Sequence, residues 1–249
     1  MSRTAATILS SMAIALALAI GCPANATTIL FETGFESPDY ALGDLNGQQG
    51  WIADAFPGEC FVTDAFSFEG SQSLFIWGDG YPDGNPHLGA AHSFADPVGI
   101  ENIVTAGMIA AVSPPTTTGN DYFIVLGDGV NVAGYLHFVW NQNISVNGVS
   151  TGYMYPYNAP MIITMVADFD NETFDVDIGG TLVAEDYPFV SPGMSALNEV
   201  LFAVDDLDAG QVMVVDALSI VSTPEPGTLS LLAAGVCGIA VLKRNRRKA

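Results

Sequence analysis

The clearest regularity in the chain is a period of two. Phe174, Val176 and Ile178 alternate with Thr173, Asp175 and Asp177, which predicts a strand with one dry and one wet face. Residues 161–169 form a second β-like run, and Asp170-Asn171-Glu172 between the two predicts the turn of a hairpin. Apolar runs of strand length recur at 28–31, 60–65, 73–77, 103–112, 122–126, 134–140, 200–204 and 212–221. Turn chemistry separates them at Gly78-Asp79-Gly80, Asp83-Gly84-Asn85, Gly127-Asp128-Gly129, Asn147-Gly148 and Gly179-Gly180. About ten strands at this spacing, with one plausible helical turn at 194–197, predict an all-β antiparallel sandwich or jelly roll. No stretch is long enough to act as an interdomain linker, so residues 27–222 read as one domain.

The two ends have different patterns. Arg3 precedes an unbroken apolar run at 12–20, too short to span a bilayer, and Ala24-Asn25-Ala26 places small residues before a cleavage site. Residues 1–26 are therefore expected to be a signal peptide, cut before Thr27 by signal peptidase. Cys22 offers a rival lipoprotein reading, but Ala19 stands where such signals usually want Leu. At the other end, Thr223-Pro224-Glu225-Pro226-Gly227-Thr228 leads into a largely apolar run and then Lys243-Arg244-Asn245-Arg246-Arg247-Lys248. Residues 223–249 resemble the PEP-CTERM sorting signal of bacterial envelope proteins, with Pro224, Glu225 and Pro226 as its triplet. The uncharged segment at about 226–242 is just long enough for a transmembrane helix, and the basic tail at 243–248 would hold its end on the cytoplasmic side. The resemblance implies an exosortase as partner, anchorage in the membrane before processing, and a final location in the cell envelope or on the extracellular surface. An unprocessed single-span anchor is the plainer alternative.

Charge narrows the chemistry. The 249 residues carry 27 acidic and 6 basic side chains, a formal charge of −21, and no Lys or Arg lies between Arg3 and Lys243. The body thus lacks a P-loop lysine, a Schiff-base lysine, an arginine finger and a basic groove, so no nucleic-acid partner is expected. A content of 49% hydrophobic and 10% aromatic residues argues against disorder.

The opening Phe31-Glu32 and Phe35-Glu36-Ser37, the run from Gly43 to Gly50-Trp51, Phe68-Glu69-Gly70-Ser71-Gln72-Ser73-Leu74 and the closing Val215-Asp216-Ala217-Leu218-Ser219-Ile220 resemble laminin-G-like and concanavalin-like jelly-roll domains. The resemblance implies that the first and last strands pair. It also implies a structural calcium held by acids of those strands, for which Glu32 and Asp216 are the candidates by position. The competing reading leaves both acids merely exposed, and no motif makes a cofactor certain.

Catalytic signatures do not assemble. Laminarinase-type glycosidases on this fold use Glu-x-Asp-x-x-Glu on one strand; Asp175-Val176-Asp177 has no Glu at the right offset. Gly193-Met194-Ser195-Ala196-Leu197 fails the nucleophile-elbow pattern at its last position. His87, His92 and His137 are too scattered to announce zinc, and surface or core roles are expected for them. Cys60, the only cysteine left in the body, has no cation to lower its pKa and is expected to be buried. The expectation is a non-enzymatic surface or matrix protein that touches carbohydrate, with exopolysaccharide as a partner; a secreted glycan-processing enzyme is the alternative. Trp77, Tyr81 and Tyr155, in or beside loop-like segments, are the candidate sugar-stacking rings, against a reading in which they cover the ends of the core.

Overall fold

The structure is a computed structural model that describes residues 27–53, 59–79, 87–94, 102–114, 121–205 and 209–224. The expected signal peptide, Tyr81, Glu225, Pro226, the apolar segment at 226–242 and the basic tail lie outside the described residues. Among those described, no helix is long and apolar enough to cross a membrane.

The strands are β1 (Thr28–Thr33), β2 (Gly43–Asp44), β3 (Trp51–Ala53), β4 (Cys60–Thr63), β5 (Ser73–Asp79), β6 (His87–Ser93), β7 (Asn102–Val112), β8 (Tyr122–Gly127), β9 (Val132–Phe138), β10 (Asn143–Val146), β11 (Val149–Met154), β12 (Met161–Asp168), β13 (Thr173–Ile178), β14 (Thr181–Pro188), β15 (Glu199–Asp205) and β16 (Ala209–Pro224). They form two sheets. A nine-stranded sheet runs β14-β13-β12-β7-β16-β5-β4-β2, with β1 also on β16; a seven-stranded sheet runs β11-β10-β9-β8-β15-β6-β3. The β-sandwich of the jelly-roll type expected from the alternation is therefore present. Residues 194–197, expected as a helical turn, carry no helix, and Met194 and Leu197 are buried loop residues.

Alternation decides what is buried. In the β12–β13 hairpin Phe174, Val176 and Ile178 point inward while Asp175 and Asp177 stay wet. Across the layer Ile124 and Leu126 of β8, Leu136 and Phe138 of β9, and Phe202 of β15 complete the core. Cys60 lies within it, as do Phe35, Leu45 and Trp51 from the opening motif; the Trp51 indole N–H donates to the Tyr40 hydroxyl at 3.0 Å.

β16 changes partners along its length. Residues 209–215 pair with β5, while 218–222 pair with β1, in register Thr28↔Ser222 to Thr33↔Leu218. First and last strands thus lie side by side. At the changeover Ala217 has φ +50, a left-handed conformation costly for a residue with a Cβ, and Asp216 beside it is fully buried.

Candidate functional site

On the nine-stranded sheet, the residues between inward-facing Leu74, Ile76, Met213 and Val215 turn to the outer surface. Phe75 of β5 lies opposite Phe61 of β4 and Val214 of β16, and Trp77 lies opposite Val212. The Phe61 and Phe75 centroids are 4.9 Å apart. Phe66, from the loop before β5, stacks on Phe75 at 5.9 Å with an interplanar angle of 20°. Phe66, Phe68 and Phe75, with Val212, Val214 and Ala111, line an open cavity of about 350 Å³ that also reaches Ser113 and Asn158, while Phe61 packs behind Phe75. Among the described residues no charged side chain lines it.

The loop that carries Phe66 and Phe68 is held by two carboxylates. Asp216 fills the changeover on β16, where its Oδ2 accepts the backbone N–H groups of Phe68 at 2.8 Å and Glu69 at 2.9 Å, and its Oδ1 that of Ala217 at 2.8 Å. Glu36, just past β1, accepts the Ser71 hydroxyl and the N–H groups of Ser71 and Gln72. The Ser71 hydroxyl, then those backbone donors, hold the Glu36 carboxyl below its ordinary pKa. Gly70 must be glycine on two counts: its φ is +71, and a Cβ there would run into the Glu36 carboxylate. Ser73 Oγ donates to Phe66 O and closes the loop. The glycine–serine entry seen in the sequence is thus the receptor of an acid staple.

The polar part of the groove is tied by hydrogen bonds. Ser113 Oγ accepts the Val212 N–H at 2.9 Å and meets the Tyr122 hydroxyl at 3.0 Å; that hydroxyl also donates to Ser113 O. Burial pushes the Tyr122 phenol up to about 12, so it stays neutral. Asn158, exposed at φ +54, stands beside them with its N–H on Val112 O.

The residues singled out from the sequence scatter. Trp77 is not in the cavity lining but lies on the same outer face opposite Val212, at the groove's edge, 43% exposed. Tyr155 does not join it: it is 1% exposed, its hydroxyl donates to Val139 O at 2.8 Å, and its ring packs edge-on to Phe138 and Tyr157. It seals the core, as the reading of these rings as end covers had it, and its faces are closed to a sugar. Glu32 and Asp216 do not form a cation site. Glu32 is an exposed residue opposite Ser219, whereas Asp216 is buried with both oxygens turned to N–H donors. Among the described residues no three His, Cys, Asp or Glu side chains group to hold a metal, so this pair does not fit the implied calcium. His87 and His92 belong to strand β6, not to a loop. His92 is buried, stacked on Phe31 at 3.8 Å, with Nε2–H donating to Gln49 O at 3.0 Å; burial lowers its pKa. His137 faces outward on β9, 2.8 Å from Asp121. Phe61, Phe66, Phe68 and Phe75 were missed as site residues. The alternation of Phe75 and Trp77 was their only local signal.

No protein-family model and no curated protein matches this chain. Solved structures do. A cellulose-induced protein, Cip1, superposes with a TM-score of 0.55 and 16% identity over 76% of this chain and 96% of that one. A carbohydrate esterase from the Shiga toxin-encoding bacteriophage phi24B gives 0.55 and 13% over 80% and 100%. A sialidase gives 0.57 and 10% over 77% of this chain, which spans only 18% of that longer protein. At such identities the likeness is one of fold.

Proposed function

We propose that this chain is an exported bacterial cell-surface protein, sorted by an exosortase through its Pro224-Glu225-Pro226 tail, whose sandwich binds an uncharged glycan in the aromatic groove. The observation that carries the binding reading is the groove itself: rings on one outer face, walls without charge among the described residues, and an amide and a hydroxyl in its lining. Sugars present apolar ring faces and a rim of hydroxyls, and such a surface matches both. Among the described residues its lining holds no acid or base, which favours holding over reacting. The carbohydrate connection in the names of the structural neighbours is consistent with this reading.

Charge selects among glycans. With no Lys or Arg between Arg3 and Lys243, a uronate or sulfated polymer meets a body of like sign and no cation to pair with. Neutral oligosaccharides are expected to bind and polyuronates are not. A glycan array followed by calorimetry on the purified Thr27–Ser222 body tests this, since residues 28–222 form a compact unit. Trp77→Ala and Phe66→Ala are each expected to weaken binding about tenfold, the loss of roughly 1.4 kcal/mol of ring contact. Absence of any neutral ligand, or unchanged affinity in both variants, refutes the proposal.

A further inference from the structure

The other sheet carries chemistry that the groove does not use. His137 on β9 and Ser145 on β10 are directly paired in register, and both leave the outer face of the seven-stranded sheet, since Leu136, Phe138, Ile144 and Val146 face the core. Ser145 Oγ lies 3.1 Å from His137 Nδ1, and Asp121 Oδ2, from the residue before β8, lies 2.8 Å from Nε2. The second Asp121 oxygen accepts the Trp140 N–H at 2.8 Å, which fixes the carboxylate. Phe123 of β8, the cross-strand partner of His137, stacks on the imidazole at 4.4 Å and 18°. The ring is thus braced by a carboxylate, an aromatic face and a hydroxyl.

This bracing sets the tautomer. A carboxylate beside Nε2 favours the proton on that nitrogen and leaves the Nδ1 lone pair toward Ser145 Oγ. Asp121 sits off the ring N–H axis, so the contact is a close electrostatic approach more than an aligned hydrogen bond. Apo sites commonly tighten such contacts on substrate binding. Serine, histidine and aspartate are in the order of a hydrolase relay, with the two imidazole nitrogens exchanged, and either nitrogen serves as base when the other is the donor.

The neighbouring backbone leaves room. The β10–β11 register jumps between Asn143↔Met154 and Ser145↔Ser150, so residues 151–153 bulge opposite Ile144. Gly152 has φ +74, and nothing lies within 4 Å of where its Cβ would sit. Bulges of this kind occur beside reactive side chains, where they re-aim them and interrupt the ladder. Ser145 itself is 6% exposed, while the side chains of His137 and Asp121 are 19% and 17% exposed.

We propose that Ser145, His137 and Asp121 form an ester-cleaving site on the face opposite the groove, taking small uncharged O-acyl esters. Ser145 is the nucleophile, His137 the general base and Asp121 a positioning residue. Nδ1 takes the Oγ proton as Oγ bonds to the acyl carbon, and the tetrahedral adduct expels the alkoxide. That alkoxide receives the proton from Nδ1 and leaves as the alcohol. Water, deprotonated by the same nitrogen, then attacks the acyl-serine, releasing the carboxylic acid and restoring Ser145. A small neutral acyl group suits both the shallow access and a body of strongly negative charge.

The test is incubation of the purified protein with a fluorophosphonate, read by intact mass and peptide mapping, alongside p-nitrophenyl acetate turnover. One adduct on Ser145 is expected, with its rate reduced about 100-fold or more in His137→Ala, the usual contribution of a general base. Asp121→Asn keeps the side chain's size and is expected to slow labelling while leaving the melting temperature and glycan binding near those of the parent. It serves as the second variant if His137→Ala fails to fold. Absence of a Ser145 adduct on folded protein, or a labelling rate unchanged in these variants, overturns the proposal. Glycan binding in the groove is scored separately, so failure of one reading leaves the other standing.

Discussion

At Gly134 one sheet comes close against a ring of the other, and replacing it with alanine probes the packing directly. It sits on β9 beneath the fully buried Phe174 of β13, and an ideal Cβ there falls inside the van der Waals envelope of three ring carbons. The obstacle is the base of an aromatic ring, not the end of a flexible side chain. Phe174 is itself paired with Ala167 on one side and Tyr187 on the other, so it has little freedom to retreat. Overpacking of this kind costs about 1–3 kcal/mol, and the upper end applies because neither partner yields. Reduced entropy of the unfolded chain returns roughly 0.5–1 kcal/mol, so the net loss for Gly134→Ala is about 2 kcal/mol. For a domain of this size that lowers the melting temperature by about 4–8 °C. Phe174→Leu alone opens a cavity and is also destabilising. In the double variant the added methyl enters the space the ring vacates, and the pair is expected to be more stable than the sum of the singles by about 1 kcal/mol or more. Urea denaturation followed by the fluorescence of buried Trp51 measures all four proteins. Additivity within about 0.5 kcal/mol, or a Gly134→Ala protein that melts like the parent, refutes the steric reading.

Two further expectations concern solution conditions. His92 has a lowered folded pKa because burial disfavours its charged form, so the unfolded chain binds the extra proton first. Its contribution to stability is complete above the unfolded value of about 6.5 and erodes as pH falls below it. The melting temperature is expected to drop more between pH 7.5 and 5.5 in the parent than in His92→Phe, and equal drops refute this. Stability is also expected to rise from physiological to molar salt as the screening length contracts from about 8 Å to about 3 Å. A melting temperature that stays flat over that range is the contrary result.

What was legible in the sequence was local. The alternation at residues 173–178 shows as a strand because one face is wet, and its acids remain outside in the fold. β14 escaped notice because Glu185-Asp186 interrupts its pattern, and Asp186, at φ +54, sits where the β13 register shifts. β6 reads His-Leu-Gly-Ala-Ala-His-Ser and is too rich in small residues to stand out. Trp77 and Tyr155 look alike in sequence, yet one borders the surface groove and the other fills the core. Their fates depend on which strand lies opposite, and neighbours in the chain do not record that. The relay of Asp121, His137 and Ser145 was hidden for the same reason: it is assembled by strand register between segments with no common motif.

The acids of this body do a job that ion pairing does elsewhere. Lacking internal Lys and Arg, they accept hydrogen bonds from the main chain at turns and junctions. Asp128 takes the N–H groups of Val130 and Asn131, Asp168 that of Asn171, Asp177 that of Gly180 and Asp175 that of Asp186. The Asn131 amide and backbone hold Asp128 below its ordinary pKa. Asp216 and Glu36 apply the same device to the aromatic loop. These contacts operate over about 3 Å, where salt screens little, whereas the repulsion among carboxylates on different turns acts over distances comparable to the screening length. Salt therefore removes the unfavourable part of the charge distribution and leaves the favourable part. That asymmetry is why a strongly acidic sandwich without compensating cations is expected to tighten, and not loosen, as salt rises.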